Sequence, residues 1–325
     1  MHIPDGLMDP TVAAIGLIEF AAIVSVAIVV SRRSLREKDL PRVAMLSAGI
    51  FVAQMLNFPI GGGTTGHLVG GALFAIMVGP TFAIIGMTVI LLIQALMFGD
   101  GGITAFGLNA LNMAIIAPLV GWGVFNLMKP LVGRTGRIGQ GVSVGTAAWA
   151  SVFVAAAACA AEMAVSYAIS GGTYGIAATV SVPAMLGFHA VIGVGEAAIS
   201  AGVVTYLEHV SPETFSRRAA ANPSSSGRKG VLRSTTLRAS GAVLLVLALA
   251  LPFYFLYAAE GRDGLEQTME DAGVTEGAQL ANSPFTYGQN YFGALFSGII
   301  GFVAVSLAMT GIMRALDGRR AADEM

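Results

Sequence analysis

Apolar residues gather in runs along the chain, at about 11–31, 43–59, 68–80, 82–98, 104–128, 140–170, 178–207, 239–258 and 291–315. A helix needs about 20 apolar residues to cross the core of a bilayer, and most of these runs reach or approach that length. The pattern predicts an all-α polytopic membrane protein. The third run is short and glycine-rich (Leu68-Val69-Gly70-Gly71), as a tilted or re-entrant segment would be, and Gly79-Pro80 divides it from the fourth. The polar stretch 209–238, with Asn222-Pro223-Ser224-Ser225-Ser226-Gly227, reads as a flexible cytoplasmic linker. It separates a seven-span unit, 1–208, from a two-span hairpin, 239–325, whose spans are joined by the loop 259–290.

Composition agrees. The chain is 55% hydrophobic and 11% charged, against about 25% charged in soluble domains. Its 42 glycines suit close helix packing. The net charge of −1 gives no reason to expect a nucleic-acid partner. The single cysteine, Cys159, lies in an apolar run and excludes a disulfide framework or a cysteine zinc site. Basic residues cluster between the first two spans (Arg32, Arg33, Arg36, Lys38, Arg42), after the fifth (Lys129, Arg134, Arg137), in 208–238 and after the ninth. Only Arg262 lies elsewhere. With nine spans all four clusters share one side, so the N-terminus is expected outside and the C-terminus inside. The expected location is the cytoplasmic (inner) membrane of the cell, crossed many times.

Chemistry starts at Met1-His2-Ile3-Pro4-Asp5-Gly6. No basic region precedes the first apolar run, so no cleavable signal is read. Methionine aminopeptidase needs a small second residue, so His2 is expected to leave Met1 in place. The α-amine of Met1, the amide of His2 and its imidazole can close a five- and a six-membered chelate ring around one ion. An amide nitrogen that has lost its proton favours square-planar Ni(II) or Cu(II) over tetrahedral Zn(II). A chance histidine at position two is the plain alternative. His67, in Asn57-Phe58-Pro59-Ile60-Gly61-Gly62-Gly63-Thr64-Thr65-Gly66-His67, falls on the same side and can add a fourth nitrogen; otherwise it bonds loop carbonyls. Asp5 reads as a turn former that can also bond the His2 imidazole. Asp100, in Gly99-Asp100-Gly101, reads as a structural turn residue. His209 reads as interfacial. His189 and Glu196, seven residues apart, share one helix face. They are either a functional intramembrane pair or, as favoured here, ties to each other or to Asn109 and Asn112. Glu19 and Glu162 face the same choice. No phosphate loop, Gly-x-Ser-x-Gly elbow or His-Glu-x-x-His helix is present in the sequence.

Met1 to Gly6, Asn57 to His67, Gln94 to Gly102, Gly107 to Met113 and His189 to Glu196 together resemble the nickel/cobalt substrate-binding membrane component of energy-coupling-factor transporters, the CbiM/NikM family. The resemblance covers 1–207. Gly264-Leu265-Glu266, with Arg262-Asp263 before it, and Ser283-Pro284-Phe285 with Tyr287 resemble the small N component, whose signature is Pro-Asp-Gly-Leu-Glu. The resemblance implies a fused protein that is not itself an enzyme. It implies metal ligands from the Met1 amine, the His2 amide and imidazole, and the His67 imidazole. Polar residues supporting those ligands or tying helices would come from Asp5, Asn57, Thr64, Asn109, Asn112, His189 and Glu196. It also implies a transmembrane coupling (T/Q-type) subunit and cytoplasmic ATPase (O-type) subunits as partners, no resident cofactor, and Ni(II) or Co(II) as cargo. Planar four-nitrogen ligation suits Ni(II) best. A cobalt importer with the same mechanism is the alternative within the family, and an intramembrane enzyme using His189 and Glu196 is the alternative of another class.

Overall fold

A computed structural model describes residues 1–35, 39–61, 63–132, 136–210, 228–275, 277 and 279–323. It is almost wholly helical. The first unit contains α1 (Pro10–Ser34), α2 (Asp39–Gln54), α3 (Gly71–Val78), α4 (Pro80–Ile93), α5 (Phe106–Ala110), α6 (Ala117–Val132), α7 (Gly136–Ile169) and α8 (Ala178–Val210). A π-helical turn, Gln94–Phe98, extends α4, and another, Leu111–Ile116, welds α5 to α6. The result is seven helical bodies, as the apolar runs predict. The second unit contains α9 (Arg228–Tyr257), the short α10 (Gly264–Asp271) and α11 (Tyr291–Asp323). Most of the linker expected at 209–238 lies outside the described residues; α8 runs to Val210 and α9 begins at Arg228.

Among the described residues, seven helices are long and apolar enough to cross a membrane. α2 and α3 fall short. The run expected over 43–59 ends as helix at Gln54, because Pro59 and the glycines that follow cannot continue it. The chain instead pairs β1 (Asn57–Gly61) with β2 (Thr64–His67) in an antiparallel hairpin. This is the one departure from an all-α architecture among the described residues. The run at 68–80 becomes the short α3, its N-cap Gly70 at φ +77°, a value that side chains disfavour.

α7 and α8 form a long pair, and the buried side of α7 is built of small residues, among them Ala147, Ala148, Ser151, Ala155 and Ala156. Small side chains let helix backbones approach closely where lipid supplies no hydrophobic drive. Cys159 is buried in this face. α11 packs on α2, and Gly301 lies against the Phe51 ring with no room for a Cβ. At one end of the bundle four loops meet the N-terminal segment or each other. Gly102 N–H donates to Ile3 O (2.8 Å), Gly175 N–H to Leu7 O (2.7 Å), Thr65 N–H to Arg262 O (2.7 Å) and Phe285 N–H to Met97 O (3.0 Å). Elsewhere, Arg42 donates to Met77 O (2.8 Å), and Arg137 lies 3.2 Å from His209 Nδ1, which gives that histidine a partner on α7.

Candidate metal centre

The N-terminal segment, without regular secondary structure, runs into the helical core. Met1 is 2% exposed and Ile3 is fully buried. A buried main chain must find partners, and Asn109 of α5 supplies two: its Oδ1 accepts from Ile3 N–H (2.8 Å) and its Nδ2 donates to Ile3 O (3.0 Å). A Cβ on Gly102 would sit 2.6 Å from Pro4 C, so only glycine lets the 99–103 loop lie against this segment. Asp5 closes the far side. Its Oδ1 accepts from Thr104 N–H (2.8 Å) and Oγ–H (2.6 Å), and its Oδ2 from Leu280 N–H (3.0 Å). Burial raises the Asp5 carboxyl, but these bonds outweigh it and hold the group below its usual range. Asp5 thus lies in a turn, as expected, and pins the loops of Thr104 and Leu280; the further bond to the His2 imidazole is not formed.

His2 and His67 stack, ring centroids 5.2 Å apart and planes at 24°. β2 delivers His67 as its last residue. His67 Nδ1 faces Leu68 O at 3.1 Å and must carry the proton there, which leaves a lone pair on Nε2. Burial, then the Met1 ammonium and His2, lower the His67 pKa to about 4, so the ring is neutral at ordinary pH. His2 Nε2 lies 3.3 Å from Gln94 Oε1, and His2 Nδ1 lies 3.1 Å from Asp100 Oδ1. A neutral imidazole can donate to only one of them. The tautomer protonated toward Gln94 leaves Nδ1 as a donor atom for an ion. Burial lowers the His2 pKa in spite of Asp100.

A chain of amides and one carboxylate backs His2. Gln94 Nε2 donates to Gln54 Oε1 (2.9 Å), Gln54 Nε2 to Val69 O (2.7 Å), and Glu196 accepts from Val69 N–H (2.6 Å) and Gly70 N–H (2.7 Å). Glu196 therefore caps the entry to α3. His189 Nδ1 faces Met185 O (2.8 Å) on its own helix. These two neither pair with each other nor reach Asn109 or Asn112. Asn112 instead donates to Glu162 (2.7 Å), tying the α5–α6 body to α7, while Glu19 lies on the exposed face of α1. Asn57 donates to Thr65 Oγ1 (3.4 Å) within the hairpin, and Thr64 bridges to Arg262.

Two carboxylates that the sequence reading left outside the site belong to it. Asp100 is no mere turn residue: besides facing His2, it accepts from Tyr287 O–H (2.8 Å). Asp263, from the second unit, has its Oδ2 3.0 Å from the Met1 amine and 3.9 Å from His67 Nε2. Burial pulls the Met1 ammonium pKa down, but the charge and hydrogen bond of Asp263 outweigh it, and the net shift is upward from 8.0. Met1, His67, His189 and Asp263 line a cleft of about 10 Å³, room for about one water-sized sphere. A cavity of about 270 Å³ adjoins it, between the units, lined by His2, Asp100, Asp263, Glu266 and Tyr287 among others. Among the described residues, no group of three or more His, Cys, Asp or Glu side chains is disposed to hold a metal.

The fold and this buried cluster define a multi-pass membrane protein with a cation-sized polar centre at one end of its bundle. Residues 2–214 match the family model CbiM, the cobalt uptake substrate-specific transmembrane region, and the chain belongs to that family. It is a transport component and not an enzyme. The "Putative fused nickel transport protein NikMN" of Archaeoglobus fulgidus is 33% identical over 94% of this chain and 95% of its own. The "Fused nickel transport protein NikMN" of Rhodobacter capsulatus is 39% identical over 69% of this chain and 66% of its own. A solved truncated transition metal transporter, 38% identical, superimposes with a TM-score of 0.59 over 64% of this chain and 99% of its own.

Proposed function

We propose that this chain is the substrate-specific membrane component of an energy-coupling-factor importer for Ni(II) or Co(II). The Met1 amine, His2 amide nitrogen, His2 Nδ1 and His67 Nε2 would hold the ion. The observation that carries this reading is the meeting of the first residues with His67 inside the core, with His67 Nδ1 engaged by Leu68 O so that Nε2 is free to bind. Asn109 fixes the segment, and Gln94 can fix the His2 tautomer. A planar set of four nitrogens favours Ni(II), and both fused relatives carry nickel in their names. The clustered Lys and Arg support an N-terminus outside, which puts the cavity between the units on the loading side. With no phosphate loop in the sequence, ATP hydrolysis falls to O-type ATPase subunits working through a T/Q-type coupling subunit.

The test is a titration of purified full-length protein carrying no N-terminal tag, with Ni(II) and Co(II) side by side, and of a variant with one Gly inserted before Met1. One nickel held per chain and lost on insertion is the expected result. Tighter cobalt binding would change the cargo and keep the mechanism. Binding that survives the insertion would remove Met1 from the site.

A further inference from the structure

The proposed donor set leaves a charge unbalanced. An amine, two neutral imidazoles and one deprotonated amide bring a single negative charge to a divalent ion. The remaining positive charge would lie where Met1 is 2% and His67 8% exposed. A buried charge without a partner is costly. Two nearby carboxylates are committed, Asp5 to Thr104 and Leu280 and Glu196 to Val69 and Gly70; Asp100 gives Oδ2 to Tyr287 O–H and faces the site from the His2 Nδ1 side with Oδ1.

We propose that Asp263, carried by the C-terminal hairpin, is the counter-charge of the cation site, so that the site is completed by both units of the chain. The proposal rests on the cation-site reading above. The two oxygens of this carboxylate have different tasks. Oδ1 accepts from Leu265 N–H and Glu266 N–H (both 2.8 Å) and so caps α10, while Glu266 returns a bond to Asp263 N–H (2.7 Å). Oδ2 is turned to the two nitrogen ligands that come from separate elements, the Met1 amine and His67 Nε2. The carboxylate is therefore held at the site by a helix end and does not hang there on a free rotamer.

The backbone around it is clamped as well. Thr65, two residues before His67, donates through its N–H to Arg262 O (2.7 Å), and its Oγ lies 3.1 Å from both Gly261 O and Arg262 O. Gly264 packs so closely that a Cβ there would stand 2.9 Å from His189 Cε1. The hairpin that presents His67 and the segment that presents Asp263 are thus one joined edge. The carboxylate that balances the Met1 ammonium would balance the ion in its place.

The experiment is calorimetric titration of Ni(II) into full-length protein in detergent micelles, as wild type, D263N, D263S, D263E and the Gly insertion before Met1. Asn and Ser both cap helices well, so D263N and D263S remove the charge and keep α10. We expect both to weaken binding at least tenfold at unchanged helix content, and D263E to recover part of the loss. If D263N fails to fold, D263S decides. Binding within twofold of wild type, or tighter, in the charge-free variants, while the insertion abolishes it, would overturn the role of Asp263 and leave the chelate standing. A wild type that binds neither Ni(II) nor Co(II), or an insertion without effect, would overturn both.

Discussion

Three of the four donor nitrogens of the proposed site, the Met1 amine and the two imidazoles, have neighbours that bear on their protonation, and those neighbours shape the pH response. His67, at a pKa of about 4, is already neutral in weak acid and does not limit binding. The Met1 ammonium, raised above 8.0, does. A ligand proton competes below its pKa, so nickel affinity should climb with pH through neutrality and continue to climb above pH 8. Affinities measured from pH 6 to 9.5 would show it; a plateau already at pH 7 would count against the amine. Asn109→Leu should leave the Ile3 N–H without a partner in the core and the Ile3 C=O with Gly102 N–H alone, at about 1–3 kcal/mol for the orphaned donor. The N-terminal segment would loosen, and nickel binding would fall with thermal stability. Met1 and His2 stood out in the sequence because a chelate depends on residue identity at a chain end, and His67 through its glycine-rich motif; the structure brings the two histidines together, and the titration tests whether they hold an ion. Asp263 did not stand out: it lies 262 positions from Met1 and wears the appearance of an ordinary helix cap. Gln54 and Gln94 left only the weak mark of uncharged polar residues in apolar runs, and Asp100 looked like any Asp between glycines.

Among elements, close approach at glycine decides what can dock. Gly102→Val would drive a side chain into Pro4 and Asp5 and expel the N-terminal segment from its slot. The protein should still insert and keep its helix content, but metal binding should be lost; retained binding would show that the segment can shift sideways. Gly301→Leu would collide with Phe51 and separate α11 from α2. Overpacking of a tight contact costs about 1–3 kcal/mol, and a fall in melting temperature would register it. The helices themselves were legible from apolar run length alone. The early end of α2 and the β-hairpin were not, because Asn57 to His67 joins a helix breaker to strand residues inside a run that scores as apolar. The two π-helical turns left no sequence mark either, although one of them begins at Gln94.

At the level of the whole molecule, the proposed site stands where the N-terminal segment meets the 259–290 loop, and acid should test that contact. Desolvation raises the half-buried Asp263 carboxyl, but the Met1 ammonium and His67 outweigh it and hold the group well below its usual 3.8. A group with a lowered folded pKa adds stability that is present above the unfolded value and lost as pH falls below it. The contact between hairpin and N-terminus should therefore weaken below about pH 3.8 and hold at neutral pH, which a pH series of thermal melts would show. Covalent fusion has a further consequence. Had α10 belonged to a separate polypeptide, the presence of its carboxylate at the ion would follow that polypeptide's abundance and its dissociation constant. Within one chain the encounter is intramolecular and does not depend on a second polypeptide. How often the carboxylate is found at the site then becomes a property of the molecule, independent of how many copies the cell makes.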